Sequence, residues 1–125
     1  MKKEISTTRA PAAVGPYSQA VKAGNMVFTS GQLPINPQTG QIPTCIEAQA
    51  EQAFQNLVSV LDAAQATLAD VVKTTVFVQD LNDFAIVNEI YAKYFKPPCP
   101  ARSCIEAARL PKGVLIEVEA IAIKD

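Results

Sequence analysis

Hydrophobic residues change their spacing along this chain, and each change marks an element. Residues Ile5 to Ala13 read as a short strand running into an extended Ala/Pro segment, and Gly15-Pro16 turns the chain before Tyr17-Ser18-Gln19-Ala20-Val21. Gly24-Asn25 is a hairpin signal, with Met26-Val27-Phe28-Thr29-Ser30-Gly31-Gln32 as the returning strand. Gly31 inside that strand marks a point where a ligand or another backbone comes close. Pro34 to Gly40 is a turn-rich loop.

The spacing then becomes helical. Thr44 with Glu47 forms a capping-box signature, and apolar side chains at Ala50, Ala53, Phe54, Leu57, Leu61 and Ala64 trace one face. This predicts a helix from about Ile46 to Ala66, lying on a sheet. Val71 to Gln79 is dense in β-branched and aromatic residues and predicts a central, half-buried strand. Asp80-Leu81-Asn82-Asp83 offers N-cap residues to a second helix, marked by Phe84, Val87, Ile90, Tyr91 and Tyr94 and ended by Pro97-Pro98. Two strand-like runs follow, Pro100 to Glu106 and Val114 to Ala120, joined by the turn-like Arg109-Leu110-Pro111-Lys112-Gly113. The order of strands, helix, strand, helix, strands gives an α+β plan, with both helices packed on one face of a single mixed sheet. The other face stays open, and Ile121-Ala122-Ile123 carries apolar residues on both sides, so self-association would bury that surface.

The two last runs also carry the candidate chemistry. Side chains alternate along a strand, so Arg102, Cys104 and Glu106 share one face of the first run, and Glu117 and Glu119 share one face of the second. If the runs pair, a fixed cation meets a fixed carboxylate. An arginine fork beside a proton-transferring acid suits a small substrate that carries a carboxylate. On pattern alone, a structural ion pair of Arg102 with Glu117 or Glu119 is an equal reading, and the two glutamates read by default as a solvated sheet face. Tyr17 after its Gly-Pro turn reads as a packing aromatic, and Lys73 as a snorkelling or subunit-contact lysine.

Composition narrows the field. The 125 residues, 49% of them hydrophobic, suffice for one compact soluble domain spanning 1–125 with its own core. A net charge of −1 leaves no electrostatic footprint for nucleic acid. The start Met1-Lys2-Lys3-Glu4-Ile5-Ser6 lacks a signal-peptide core and no segment has membrane-spanning apolar length, so a cytoplasmic location is expected. Cys45, Cys99 and Cys104 are odd in number and have no metal-ligand spacing, which favours reduced thiols. The absence of histidine removes Ser-His-Asp and Cys-His catalysis, histidine-ligated zinc and an imidazole base. Cys104 therefore has no histidine to activate it as a nucleophile, and a lining role is the better reading.

Several stretches in order carry a family resemblance over nearly the whole chain. They are Ala10-Pro11 with Gly15-Pro16-Tyr17-Ser18-Gln19, Thr29-Ser30-Gly31-Gln32, Val72-Lys73-Thr74-Thr75-Val76-Phe77, Leu81-Asn82-Asp83-Phe84, Pro100-Ala101-Arg102-Ser103, and Arg109-Leu110-Pro111 with Ile116-Glu117-Val118-Glu119-Ala120. In these the sequence resembles the Rid (reactive intermediate deaminase, YjgF-type) family, most closely its RidA subgroup. The resemblance implies a chorismate-mutase-like fold and a homotrimer with active sites between subunits. It also implies a hydrolase acting on C–N bonds other than peptide bonds, needing no cofactor or metal. Its substrates would be 2-iminobutanoate, 2-iminopropanoate and the enamine 2-aminoacrylate, and its products 2-oxo acids and ammonia. Carried over by motif, Arg102 binds the substrate carboxylate, Glu117 polarises the attacking water, and Tyr17, Ser30, Gly31, Asn88 and Cys104 line the cleft. The chain departs from the family at Phe95-Lys96-Pro97-Pro98-Cys99, which looks short, with Cys99 where a bulkier aromatic is common, and at Gln65, where many relatives have a helix-ending glycine. Two rivals stand beside the deaminase: a non-catalytic trimer that binds small carboxylates or acts as a chaperone-like surface, and a translation-inhibiting ribonuclease.

Overall fold

The computed structural model describes residues 1–125. The strands are β1 (Lys2–Ile5), β2 (Ala20–Ala23), β3 (Met26–Thr29), β4 (Val71–Val78), β5 (Ala101–Glu106) and β6 (Ile116–Ile123), and the helices are α1 (Ile46–Ala63) and α2 (Phe84–Tyr94). All six strands form one mixed sheet in the order β1-β2-β3-β6-β4-β5, in which only the β4–β5 pair is parallel. The expected α+β plan is present, and β4 lies in the interior of the sheet as its composition predicts.

Alternation decides the two faces. Along β6, Ile116, Val118, Ala120 and Ala122 are buried while the residues between them are less so, and in register with them Thr74, Val76 and Val78 of β4 are buried too. Both helices cover this side. The α1 stripe of Ala50, Ala53, Phe54, Leu57, Val60 and Leu61 is fully buried, and Tyr91 of α2 packs edge-on to Phe54 at 5.7 Å between ring centroids. The opposite face holds Phe28, Ile105 and Ile123 at 37%, 47% and 40% exposure, beside Lys73, Glu117 and Glu119.

Three buried amides tie the irregular segments to this frame. Gln19 Oε1 accepts the Thr7 N–H at 2.7 Å, and its Nε2 donates to the carbonyls of Thr7 and Pro11. Asn56 Nδ2 donates to the carbonyls of Leu33 and Ile35, at 2.8 and 2.9 Å. Gln49 Nε2 donates to Pro43 O, while its Oε1 accepts the Leu115 N–H at 2.7 Å. A buried backbone group without a partner costs about 1–3 kcal/mol, so these side chains do for the loops what ladder bonds do for strands.

Four sequence expectations need correction. The first strand is Lys2–Ile5, so it ends at the residue where the predicted short strand was to begin, because the Thr7–Pro11 backbone pairs with the Gln19 side chain instead of a neighbouring strand. The Thr44/Glu47 capping box does not form: Cys45 is the N-cap, so Ala48 occupies the third helical position, and the Gln49 bond to Pro43 fixes the entry to α1. The helix stops at Ala63, not Ala66. There the Ala66 N–H returns to Leu61 O and the Gln65 N–H to Asp62 O, with Gln65 alone in the left-handed region at φ 62°, so the helix ends in a Schellman motif. Finally, β5 and β6 do not pair, since β4 lies between them.

Gln65 therefore holds a conformation that costs a side-chain-bearing residue about 1–2 kcal/mol. Gln65→Gly is expected to raise stability by about 0.5–1 kcal/mol. Urea unfolding checks this, with a higher midpoint at unchanged slope; a lower midpoint would count against the assignment.

Candidate active site

Placing β4 between β5 and β6 separates the two residues expected to meet. Arg102 is in register with Thr74 and, across β4, with Ala120, so it projects to the helix-covered face. Glu117 is in register with Phe77 and projects to the open face. Two strand spacings and three residues of rise put their Cα atoms about 14 Å apart, with the sheet between their side chains. Within one chain they cannot touch the same small molecule. The alternative reading, a structural ion pair of Arg102 with Glu117 or Glu119, is likewise absent; the chain's only two salt bridges are Arg9–Asp62 and Lys93–Glu51.

The Arg102 side is a cationic half-site. Its Nη1 donates to Asn88 Oδ1 at 2.7 Å, and its guanidinium carbon lies 4.7 Å from the Tyr91 ring centroid and 5.3 Å from that of Phe84. The Tyr91 hydroxyl is hydrogen-bonded to Thr74 Oγ1 at 2.8 Å in the buried layer. Cys104 lies two residues along β5 on the same face, half-buried, with its thiol pushed above the ordinary range by burial despite the opposing pull of Arg102. That favours the neutral thiol and a lining role. Glu106, next on this face, accepts the Leu81 N–H at 2.9 Å and anchors the turn that leads into α2.

The Glu117 side is an acidic half-site. A Cβ placed on Gly31 would lie 1.8 Å from Glu117 Oε2, so the carboxylate occupies the space that any side chain at position 31 would take. The close approach that Gly31 signalled in the sequence is thus to a side chain of its own sheet. Burial raises the Glu117 carboxyl above its ordinary value, and the charge of Glu119 on the same face raises it further. Ser30 is held by its hydroxyl donating to Ser18 O at 2.6 Å and its N–H to Gln19 O at 2.9 Å. Tyr17 is 51% exposed and, with Gly31, Gln32 and Lys112, lines a cleft of about 410 Å³. The seven expected site residues therefore fall into two groups: Arg102, Asn88 and Cys104 on one side, and Glu117, Gly31, Ser30 and Tyr17 on the other. No group of His, Cys, Asp and Glu residues has the arrangement of a metal site, and no helix is long and apolar enough to cross a membrane.

Phe84 and Tyr91 entered the sequence reading only as helix core. Their relation to Arg102 had one visible signal: Phe84, Asn88 and Tyr91 follow i, i+4, i+7 spacing, so a polar amide sits in the middle of an aromatic stripe.

Fold and site together define a small α+β protein with a cationic half-site on one sheet face and an acidic one on the other. The family described as Endoribonuclease L-PSP matches residues 7–124, and the chain belongs to that family, the Rid or YjgF family. A RutC family protein of Pasteurella multocida is 57% identical over 128 residues, covering 99% of each chain. The 2-iminobutanoate/2-iminopropanoate deaminase of Escherichia coli is 54% identical over 127 residues, again covering 99% of each chain. The crystal structure of Escherichia coli TdcF with bound serine is 49% identical, covers 98% of this chain and 99% of its own, and superposes with a TM-score of 0.94.

Two outcomes follow from the Glu117 environment. In Gly31→Ala the carboxylate must move aside at the flexible end of its side chain. Stability should change by less than about 1 kcal/mol, while any reaction that needs the carboxylate in place slows by about tenfold or more. Unfolding and turnover measured on one sample decide this; equal retention of both would show the position of Glu117 to be immaterial. The second concerns charge. The folded chain holds the Glu117 proton more tightly than the unfolded chain, so this group favours folding most below the ordinary carboxyl value and loses that contribution as pH rises through the raised one. Glu117→Gln should accordingly have a higher thermal midpoint than the parent at neutral pH, with the gap closing in acid. A lower midpoint at neutral pH would contradict this electrostatic account.

Proposed function

We propose that the protein hydrolyses 2-imino acids and their enamine tautomers, such as 2-iminobutanoate, 2-iminopropanoate and 2-aminoacrylate, to 2-oxo acids and ammonia. The observation that carries this reading is Arg102, a held guanidinium without a carboxylate partner. The relatives named as deaminases of these compounds support the substrate class. An imine is already electrophilic, so positioning and proton transfer suffice. Arg102 binds the carboxylate and sets the C=N carbon in place. Glu117 holds water, takes one proton as oxygen adds to that carbon and passes it to nitrogen to give a carbinolamine; it then takes the hydroxyl proton as C=O forms and returns it to nitrogen as the C–N bond breaks and ammonia leaves. Imine plus water thus gives 2-oxo acid plus ammonia.

Because the two half-sites lie on opposite faces of one sheet, a complete site needs two copies, the open face of one meeting the β5 side of the next. Cyclic repetition of that unlike contact closes as a ring, and a homotrimer is the assembly we assign. Phe28, Ile105 and Ile123 on the open face supply apolar surface for it. In this reading Tyr17, Ser30 and Gly31 accompany Glu117, Cys104 lines the Arg102 side, and the protein works in the cytoplasm on imines released by other enzymes.

The test is 2-oxo acid and ammonia release from 2-iminobutanoate generated in situ by a threonine dehydratase. The parent should accelerate it over buffer. Arg102→Ala should lower kcat/KM by about a hundredfold, and Glu117→Gln lower kcat by about a hundredfold or more. Activity should fall as pH drops through the raised Glu117 value, above the ordinary 4.5. A folded parent with no acceleration on several imino acids would overturn the reading. Cleavage of RNA that survives Arg102→Ala would favour a ribonuclease in its place.

A further inference from the structure

An arginine on a sheet edge normally finds a carboxylate or spreads over many rotamers, and immobilising it costs up to about 2 kcal/mol of side-chain entropy. Arg102 does neither. Asn88 Oδ1 takes one of its N–H donors at 2.7 Å, and the Tyr91 and Phe84 rings lie 4.7 and 5.3 Å from its guanidinium carbon. Both distances are within the range at which ring quadrupoles attract a cation. Tyr91 is itself fixed, its hydroxyl on Thr74 and its ring stacked on Phe95 at 4.4 Å between centroids. All the direct partners of the guanidinium are therefore neutral. An aspartate at position 88 would offer the same acceptor oxygen and would cancel the charge.

We propose that Phe84, Asn88 and Tyr91 are positioning residues that immobilise the Arg102 guanidinium while leaving its charge uncompensated, and that the neutrality of residue 88 is what makes the arginine available to an anionic substrate. This rests on the reading above that Arg102 binds a substrate carboxylate. Four of its five N–H donors remain for an anion, enough for the two-pronged contact that distinguishes arginine from lysine. The anchor is complete within one chain, so it is set before substrate or a second copy arrives, and binding loses less side-chain freedom.

The experiment uses the purified assembled protein and 2-oxobutanoate as a stable carboxylate probe, with the side-chain ¹⁵N resonances of Arg102 as an independent readout. Asn88→Asp keeps the size and the acceptor, and should weaken 2-oxobutanoate binding by about tenfold or more. Phe84→Leu should weaken it by about threefold, with Phe84→Tyr restoring the parent value. In turnover of 2-iminobutanoate the same variants should raise KM while kcat stays within about twofold. The Arg102 signal should be sharp and restricted in the free parent and broadened in Phe84→Leu. Folded variants with unchanged affinity and KM, or an Arg102 signal already mobile in the parent, would overturn the proposal. If the parent neither binds 2-oxobutanoate nor hydrolyses imines, the functional reading fails; the Arg102 resonances then decide the cradle alone, a restricted signal lost in Phe84→Leu upholding it and a mobile one removing it.

Discussion

The insertion of β4 between β5 and β6 is the constraint from which the rest of the molecule follows. It makes β4–α2–β5 a parallel crossover unit and fixes α2 over the sheet face to which Arg102 points. It leaves Glu117 on the other face, in register with Phe77. Each functional side chain is therefore served by its own supporting structure. The arginine is held by a helix, and the carboxylate by a neighbouring backbone that has given up its side chain.

That division explains the residue types on each side. A helix presents i, i+4, i+7 positions as a line, so Phe84, Asn88 and Tyr91 can reach one guanidinium together. A strand end such as Gly31 can only make room, and it does so beside the Glu117 carboxylate. Loops complete the second half-site, and they carry little regular structure of their own. Gln19, Gln49 and Asn56 compensate by burying amide groups whose hydrogen bonds are all satisfied. Such a network fixes a loop more sharply than apolar packing would, because a shifted loop leaves buried polar groups without partners.

Local chemistry was readable in the sequence wherever one period dominated. The α1 stripe, the buried β4, the Gly24-Asn25 hairpin and the double-proline stop all appear where the pattern put them. Alternation alone placed Arg102 with Cys104 on one face and Glu117 with Glu119 on another, as the strand register has them. What failed was pairing. The last two runs were considered as a possible pair, whereas strand-helix-strand order at β4–α2–β5 was the better guide to which strands are neighbours. The capping box failed for a related reason: Thr44 and Glu47 have the right spacing, but Gln49 bonding to Pro43 sets where the helix begins. The strand order was decided by contacts between residues far apart in the chain and the helix start by a bond six residues long, and neither shows in the alternation or in the capping-box spacing.

β6 lies at the centre of the sheet, between β3 and β4, although every other element precedes it in the chain. During synthesis the β1–β3 hairpins and the β4–α2–β5 unit leave the ribosome before β6, the strand that joins them in the finished sheet. Met26 must then meet Ile123 and Phe28 meet Ile121, closing a loop of most of the chain's length. Such closure is slow compared with hairpin or helix formation. Before β6 is in place, β3 and β4 have no strand between them and each lacks its partner on that side. The strand that carries Glu117 is thus also the keystone, and the acidic half-site comes into being at the moment the fold itself does.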